Sequence, residues 1–287
     1  MRKIGIILSV LAFCASSCTP NKTDKQYLLY ANYLSYVGLG NPVYLMNAVK
    51  HDKIKSIGFY YENENRVFND LLLFNENGDL MSISPNRLSG TKFIYNDKGT
   101  LLSIENPTHN YYGIEADNID IMYSKKGIPT GMIFTGHRGV DTVQVVFNEK
   151  DEEYLIRRNN ETRLDGYLFD QHIFENNRIV AEYHKNRFYD ADIDSTLYIY
   201  EENKLVRNIR SEDKRTITIT EYDNLSRPTI GTRTHTYPDK IIVWKEKYYY
   251  EGDNMFPSKI ETISPREEIT IKHIMITKWE EDKNASR

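Results

Sequence analysis

Two ten-residue segments of this 287-residue chain are nearly alike, and their recurrence constrains the fold more than any other feature. Each begins with an aromatic residue, continues with a polar run that Gly closes, and ends in an apolar stretch. The clear copies are FNENGDLMSI at Phe74 and YNDKGTLLSI at Tyr95. With six weaker copies, the anchor residues are Phe74, Tyr95, Tyr123, Phe147, Phe174, Tyr200, Tyr222 and Tyr250. Their spacing of about 21 to 28 residues is typical of stacked supersecondary units.

The polar run of each copy has the chemistry of a hairpin turn. Asn or Asp at the first position accepts hydrogen bonds from the backbone just ahead, and Gly at the last position adopts positive φ. Gly78, Gly99 and Gly127 occupy that last position. Asn177 and Asn203 close shorter turns, and Asn tolerates positive φ better than most residues with a side chain. We therefore predict that these five residues are structural turn positions.

The segments between the turns have the composition and period of β-strands. VDTVQVVF, RTITITEY and EITIKHIMITKW are rich in β-branched residues, with polar residues at alternate positions over much of their length. Eight hairpins imply about sixteen strands, more than an open twisted sheet usually carries. We predict an all-β fold, an antiparallel meander of about eight hairpins in a strongly coiled or barrel-like sheet, over residues 59–280. A polar tail, 281–287, follows.

The repeat resembles the YD repeats of Rhs-type and teneurin proteins, in which Tyr-Asp is followed by two variable residues, Gly, Arg and Leu. YDNLSRP, Tyr222 to Pro228, is most similar, with Ser226 for Gly and Pro228 for Leu. Together with the N-terminus described next, the chain resembles YD-repeat-like lipoproteins of the Bacteroidetes envelope. That resemblance implies architecture and says little of activity. Rhs shells use far more repeats to enclose a cargo, so encapsulation is not carried over.

The first 17 residues read as a secretory signal peptide. Arg2 and Lys3 precede an apolar run that is too short to span a bilayer, and small residues follow it. The ending Ala-Ser-Ser-Cys resembles a bacterial lipobox, which implies cleavage before Cys18 and acylation of its thiol. The only other cysteine, Cys14, leaves with the signal, so we expect a mature chain without a disulfide. Its partner would be outer-membrane lipid, and the lipid on Cys18 is the only attached group we expect.

Two further segments precede the repeat. Residues 18–26 form a polar tether between lipid and domain. Residues 27–58 form an N-terminal segment: Thr23 and Gln26 have the form of a capping box, which favours a short helix ending near Gly38, while a first pair of strands remains the alternative.

Composition and motifs favour binding over chemistry. The net charge of −4, about −6 once the leader is removed, is spread along the chain, whereas a nucleic-acid partner calls for a basic face. The G-x-S-x-G, Walker and H-E-x-x-H motifs do not occur in the sequence. The seven histidines are scattered singly, so we expect no special role for any of them. We predict a protein that is not an enzyme.

The acidic segment DADIDS is the strongest candidate for a metal site. Asp190, Asp192 and Asp194 alternate as in the opening of an EF-hand loop, with Glu201 at the twelfth position. Ser195 stands where the sharp turn requires Gly, and a strand follows where the motif has a helix. A solvated acidic loop is thus the favoured interpretation, with calcium as the alternative.

The 22 tyrosines raise the question of recognition. The repeat itself places an aromatic ring at a strand end before each turn, which explains most of them by packing. We predict a binding or scaffold module of the envelope, on either side of the outer membrane, with a protein or glycan ligand. The alternatives are a surface glycan-binding protein, which needs tyrosines on one exposed face, and a hydrolase with two buried acids in one cleft. A transmembrane pore is disfavoured, since segments such as VWKEKYYY put charges on both faces.

Overall fold

The part of the chain that the structure describes folds into eighteen strands and one helix. The structure is a computed structural model and describes residues 42–61, 71–84, 90–107, 114–148, 153–158, 168–176, 178–185, 193–212 and 215–279. Helix α1 is Pro42–His51. The strands are β1 (Ile54–Tyr61), β2 (Leu71–Phe74), β3 (Leu80–Ser84), β4 (Thr91–Tyr95), β5 (Leu101–Glu105), β6 (Asn118–Tyr123), β7 (Pro129–Gly136), β8 (Gly139–Asn148), β9 (Glu153–Arg158), β10 (Leu168–Glu175), β11 (Arg178–Lys185), β12 (Ile193–Glu201), β13 (Lys204–Glu212), β14 (Thr216–Tyr222), β15 (Pro228–Thr236), β16 (Ile241–Tyr249), β17 (Lys259–Ile263) and β18 (Ile269–Lys278).

All eighteen strands form one closed antiparallel barrel. Each strand pairs with its neighbours in sequence, and β1 also pairs with β18, from Ile54 opposite Lys278 to Tyr61 opposite Lys272. The predicted all-β, barrel-like meander is confirmed. Each of the eight repeat anchors stands at a hairpin, from β2–β3 to β16–β17, and the two strands beyond the predicted sixteen are those that close the wall. Closure leaves no unpaired sheet edge among the described strands for strand addition.

The repeat turns are held by the side chain of their first residue. Asn75 Oδ1 accepts hydrogen bonds from the backbone N–H groups of Asn77 and Asp79, at 3.0 and 2.8 Å. Asn96 and Asp223 do the same in their own turns. At the last turn position φ is 80° for Gly78, 72° for Gly99, 75° for Gly127 and 72° for Asn203, whereas Asn177 lies outside the described residues.

A β-bulge after the turn recurs in six of these hairpins. The anchor residue pairs with the first or second residue of the next strand, and the register then shifts by one. The six pairs are Phe74 and Leu80, Tyr95 and Leu101, Tyr123 and Pro129, Phe174 and Ile179, Tyr200 and Leu205, and Tyr222 and Pro228. Each bulge bends its strand and adds right-handed twist. Because all six lie at the same end of the sheet, we infer that their added twist favours closure.

The repeat tyrosines tie each hairpin to the one before it. The hydroxyl of Tyr95 donates a hydrogen bond of 2.8 Å to the carbonyl oxygen of Leu80. Leu80 is the first residue of β3, the second strand of the preceding repeat hairpin. Three other tyrosines repeat this contact: Tyr123 to Leu101 at 2.6 Å, Tyr200 to Ile179 at 3.0 Å and Tyr250 to Pro228 at 2.7 Å. Burial raises the pKa of Tyr200 to about 12, so its hydroxyl remains a donor at neutral pH.

Helix α1 lies at the barrel end formed by the repeat turns. Pro42 suits the first helical position, and Leu45, Ala48 and Val49 share one buried face. Just past the helix, the 4 %-exposed side chain of Asp52 accepts hydrogen bonds from the N–H groups of Met255 and Phe256, at 2.8 and 3.3 Å. The helix predicted between Thr23 and Gly38 lies outside the described residues.

The interior next to α1 is apolar, and the outer surface is mixed. Inward side chains of β1 to β9 form a continuous buried core that includes Leu72, Phe93 and Phe134. On β16, Lys245 faces outward while Glu246 faces the interior, so charges do fall on both faces as predicted. No helix in the described part of the chain is long and apolar enough to cross a bilayer.

Candidate functional site: the polar half of the lumen

The lumen of the barrel changes character at β10. Residues directly opposite each other on neighbouring strands point to the same face. Buried Tyr154 of β9 lies opposite His172 of β10, which places His172 on the lumen face. From there a continuous cross-strand row runs over seven strands, and we call it the polar row: His172, Glu182, Thr196, Arg210, Thr218, Arg233 and Trp244. Each strand of the row contributes one residue.

On strand β14 the polar side chains face the lumen. Its threonines, Thr216 and Thr218, face the lumen, while Ile217 and Ile219 face outward, and the Ile217 residue is 45 % exposed. The apolar side of this strand thus faces outward, the reverse of β1 to β9, whose apolar side chains face the interior. The reversal follows from the barrel's width, because apolar side chains from β1 to β9 and α1 fill only part of the interior.

Two histidine–carboxylate pairs stand side by side on β10 and β11. Asp170 lies directly opposite His184 and contacts its Nδ1, and His172 lies opposite Glu182, with 3.3 Å between His172 Nδ1 and Glu182 Oε1. Tyr198 of β12 donates its hydroxyl to Glu182 Oε2 at 2.5 Å. Among the described residues, no group makes a well-aligned hydrogen bond to either ring nitrogen of His172, so its link to Glu182 is mainly electrostatic.

The carboxylates set the protonation of both histidines. Burial alone lowers the pKa of His172, but its contact with Glu182 and the charges of Glu182 and Asp170 outweigh burial, so the pKa is raised above 6.5. Burial likewise opposes ionisation of His184, and Asp170 and Asp194 outweigh it. Both rings therefore bind a proton more readily in the folded protein than an ordinary histidine does.

A second cluster lies on the lumen side of β13 to β16, and we call it the arginine–tryptophan face: Arg210, Glu212, Arg233, His235 and Trp244. Arg210 Nε lies 3.0 Å from Glu212 Oε1, and Arg233 Nη2 lies 3.2 Å from Glu212 Oε2. The guanidinium of Arg233 is 5.9 Å from the ring centre of Trp244, and His235 Nδ1 is 2.7 Å from Thr216 Oγ1. The arginine side chains are 48 % and 55 % exposed, so solvent reaches this face.

Comparison with known proteins does not assign the chain to a family. No protein-family model and no curated protein matches the chain. Among solved structures, a porin-like protein from Bacteroides uniformis is similar, with 8 % identity and a TM-score of 0.27, covering 78 % of this chain and 98 % of its own. The TcdB2-TccC3-TEV structure matches with 12 % identity and a TM-score of 0.24, covering 80 % of this chain and 12 % of its own. At these TM-scores neither similarity bears on fold or function.

The sites predicted from the sequence lie elsewhere or outside the described residues. Cys18, Asp190 and Asp192 are outside them. Asp194 lies on β12 directly opposite His184, at the edge of the histidine–carboxylate pairs. Within the described ranges, no group of three or more His, Cys, Asp or Glu side chains is arranged to hold a metal ion. The four tyrosines that donate to the preceding hairpin are part-buried, and they do not form a row on one exposed face.

The sequence analysis did not identify the lumen residues, although the spacing of titratable residues on two strands indicates them. Asp170 and His172 alternate on β10, and Glu182 and His184 alternate on β11, in strands that otherwise bury Phe174, Ile179 and Ala181. Titratable residues at every second position of two strands joined by one turn must meet across the ladder. His172 and His184, for which the sequence predicted no special role, sit in ion pairs with carboxylates of the neighbouring strand.

Proposed function

We propose that this protein is a lipid-anchored, non-catalytic binding module of the cell envelope whose ligand enters the polar half of the lumen. The observation that carries the proposal is the half-exposed pair Arg210 and Arg233 on a lumen face whose other half is packed with apolar side chains. Helix α1 lies at the turn end, so the ligand enters from the opposite end of the barrel. A rigid, partly filled barrel with a few convergent polar groups is typical of a binding site.

Binding rather than catalysis is supported by the pairing of the lumen acids. Asp170 contacts His184, Glu182 contacts His172, and Glu212 lies between two arginines. A general acid or base needs a proton that it can exchange with a substrate, and these carboxylates are each bound to a cationic partner. The pairs instead hold neighbouring strands together and fix the shape of the lumen wall.

The lumen site is tested with a variant that fills it. Thr218 lies between Arg210 and Arg233 in the polar row, so Thr218→Trp places a large ring in the proposed entry. Ile217→Trp places the same ring on the outer face one residue away. We expect pools of envelope saccharides and peptides to raise the melting temperature of the unmodified domain and of Ile217→Trp, but not of Thr218→Trp. An equal response of both variants would show that binding does not use the lumen.

Anchoring and orientation are tested separately. We expect labelled palmitate to be incorporated by the unmodified protein and lost in Cys18→Ala. Protease treatment of intact cells, with a lysed control, then reports the side of the membrane. Digestion in intact cells would indicate a surface-exposed domain, whereas digestion only after lysis would indicate a periplasmic one and exclude capture at the surface. Palmitate on Cys18→Ala would contradict the anchor.

A further inference from the structure

Two arginines and one carboxylate meet on the arginine–tryptophan face, and a second carboxylate, Glu246, lies two residues from Trp244 and accepts a hydrogen bond from Tyr248. Two guanidinium groups share the single carboxylate of Glu212, with one contact from each. Each guanidinium has five N–H donors, more than this shared carboxylate can accept. Both arginine side chains are about half exposed, so a ligand can reach the remaining donors. A planar anionic group matches a guanidinium fork better than any neutral group does.

An aromatic surface lies beside this charge. Trp244 is directly opposite Arg233 across the β15–β16 ladder, and Ile242 is opposite His235. The next residue on the same side of the chain, Tyr237, has its ring centre 4.4 Å from that of His235 and is partly exposed. An indole offers a broad apolar face together with one polar N–H, which suits the apolar face of a sugar ring and its hydroxyl rim.

The surface between arginines and tryptophan is hydroxylic, not apolar. Thr218 and Thr220 of β14 face the lumen between β13 and β15 and are partly exposed, whereas Thr216 is buried against His235. Hydroxyl groups donate and accept, so they match the hydroxyls of a saccharide. A protein interface instead needs a desolvated apolar centre, and the corresponding isoleucines of β14 face outward.

We infer that the arginine–tryptophan face binds an acidic oligosaccharide of the uronic acid class. A ring carboxylate meets Arg210 and Arg233, and a neighbouring sugar ring packs on Trp244. The inference rests on the proposed binding function and adds the ligand class. The acids of β10 and β11 are each engaged by a histidine, Asp170 by His184 and Glu182 by His172, and lie on other strands than the two arginines.

The test uses the fluorescence of Trp244. The chain has two tryptophans, and Trp279 lies at the turn end with its Nε1 donating to Asn75 O at 3.2 Å, so Trp279→Phe leaves a single reporter in the lumen. That protein is titrated with an oligogalacturonate and with a neutral oligogalactan of the same length. We expect the oligogalacturonate to change the emission, to bind at least tenfold more tightly, and to bind more weakly as salt is raised.

Arginine variants on two faces of one strand give a matched comparison. Arg210→Gln and Arg233→Gln each remove one guanidinium from the lumen, and we expect a ten- to hundredfold loss of affinity, as for a hydrogen bond to a charged group. Arg207→Gln is the control. Arg207 is 49 % exposed, lies on the outer face of β13 and pairs with Glu221, so its loss should leave affinity unchanged.

Each other outcome overturns the inference in a distinguishable way. Equal affinity for both sugars would refute the acidic class while leaving binding in the lumen intact. Equal loss in all three arginine variants would refute the assignment of the carboxylate to the two lumen arginines. A lack of response to either sugar would refute a saccharide ligand. If Thr218→Trp also leaves the response to envelope pools unaltered, the proposed binding function itself fails.

Discussion

The Tyr123 hydroxyl donates a hydrogen bond of 2.6 Å to the carbonyl oxygen of Leu101, the residue that opens the second strand of the preceding repeat hairpin. The carbonyl belongs to a bulged site, where the ladder is locally disrupted. The repeat thus supplies a ring to cover its own turn and a hydroxyl to the disrupted backbone of its neighbour. This gives the hydroxyl a structural role in four of the five tyrosine anchors.

Removing that hydroxyl should weaken the fold. Tyr123→Phe leaves the ring in place and deprives Leu101 of its donor, and we expect the free energy of unfolding to fall by about 1 kcal/mol. Urea denaturation measures the change. Tyr60→Phe is the control, because its ring stacks on His273 at 4.6 Å on the outer face and should change stability by less than about 0.5 kcal/mol. Equal effects of the two variants would contradict a stabilising role for the hydrogen bond between the two hairpins.

Asp52 should be the strongest single link between α1 and the wall. Its carboxylate binds two backbone N–H groups of the β16–β17 connection, and Asp52→Ala leaves Met255 and Phe256 with unsatisfied donors. We expect a loss of about 3 kcal/mol in the free energy of unfolding. Asp120→Ala, at an exposed position of β6, is the control and should be near neutral. Near-neutral Asp52→Ala would show that the helix is held by apolar packing alone.

Glycine at the repeat turn should matter for two separable reasons. Gly78 and Gly99 hold equivalent turn positions with φ of 80° and 72°, so an alanine at either one is strained by about 1 kcal/mol. A Cβ on Gly78 would also lie 2.8 Å from Lys50 Cγ of α1, whereas at Gly99 the nearest atom is 3.9 Å away. We expect Gly78→Ala to be more destabilising than Gly99→Ala by at least 1 kcal/mol in thermal or urea unfolding. Equal losses would mean that α1 shifts freely.

Stability should decline as pH rises above neutrality. The pKa of His172 and of His184 is raised in the folded state above its ordinary 6.5, so protonation favours folding. The contribution is fully present below about pH 6.5 and is lost as pH rises through the folded pKa values. Unfolding measured from about pH 6 to about pH 9 should show this decline, and it should vanish in the His172→Gln, His184→Gln double variant.

An exposed histidine provides the control for that measurement. The His137 side chain is 67 % exposed on the β7–β8 connection, and His137→Gln should leave the pH profile as it is in the unmodified protein. A profile that is flat or rises over the same interval in the unmodified protein would contradict the assigned pairs.

Local chemistry made the hairpins predictable, and long-range pairing made the rest unpredictable. Asn75 and Gly78 lie within one turn, so their spacing alone identifies it. Barrel closure joins Ile54 to Lys278, and no local pattern specifies that contact. The polar row is harder still, because seven strands from His172 to Trp244 each contribute one residue. The position of α1 depends on Asp52 meeting Phe256, which is also invisible along the sequence.

The pairing of β1 with β18 closes the barrel, so the closed sheet depends on this strand pair. A nick that releases β18 would expose two strands at once, β17 and β1, each with a row of unbonded N–H and C=O groups. Such a chain would become self-associating while most of its hairpins stayed folded. The pairing of β18 is therefore what protects β1 and β17 from edge-to-edge aggregation.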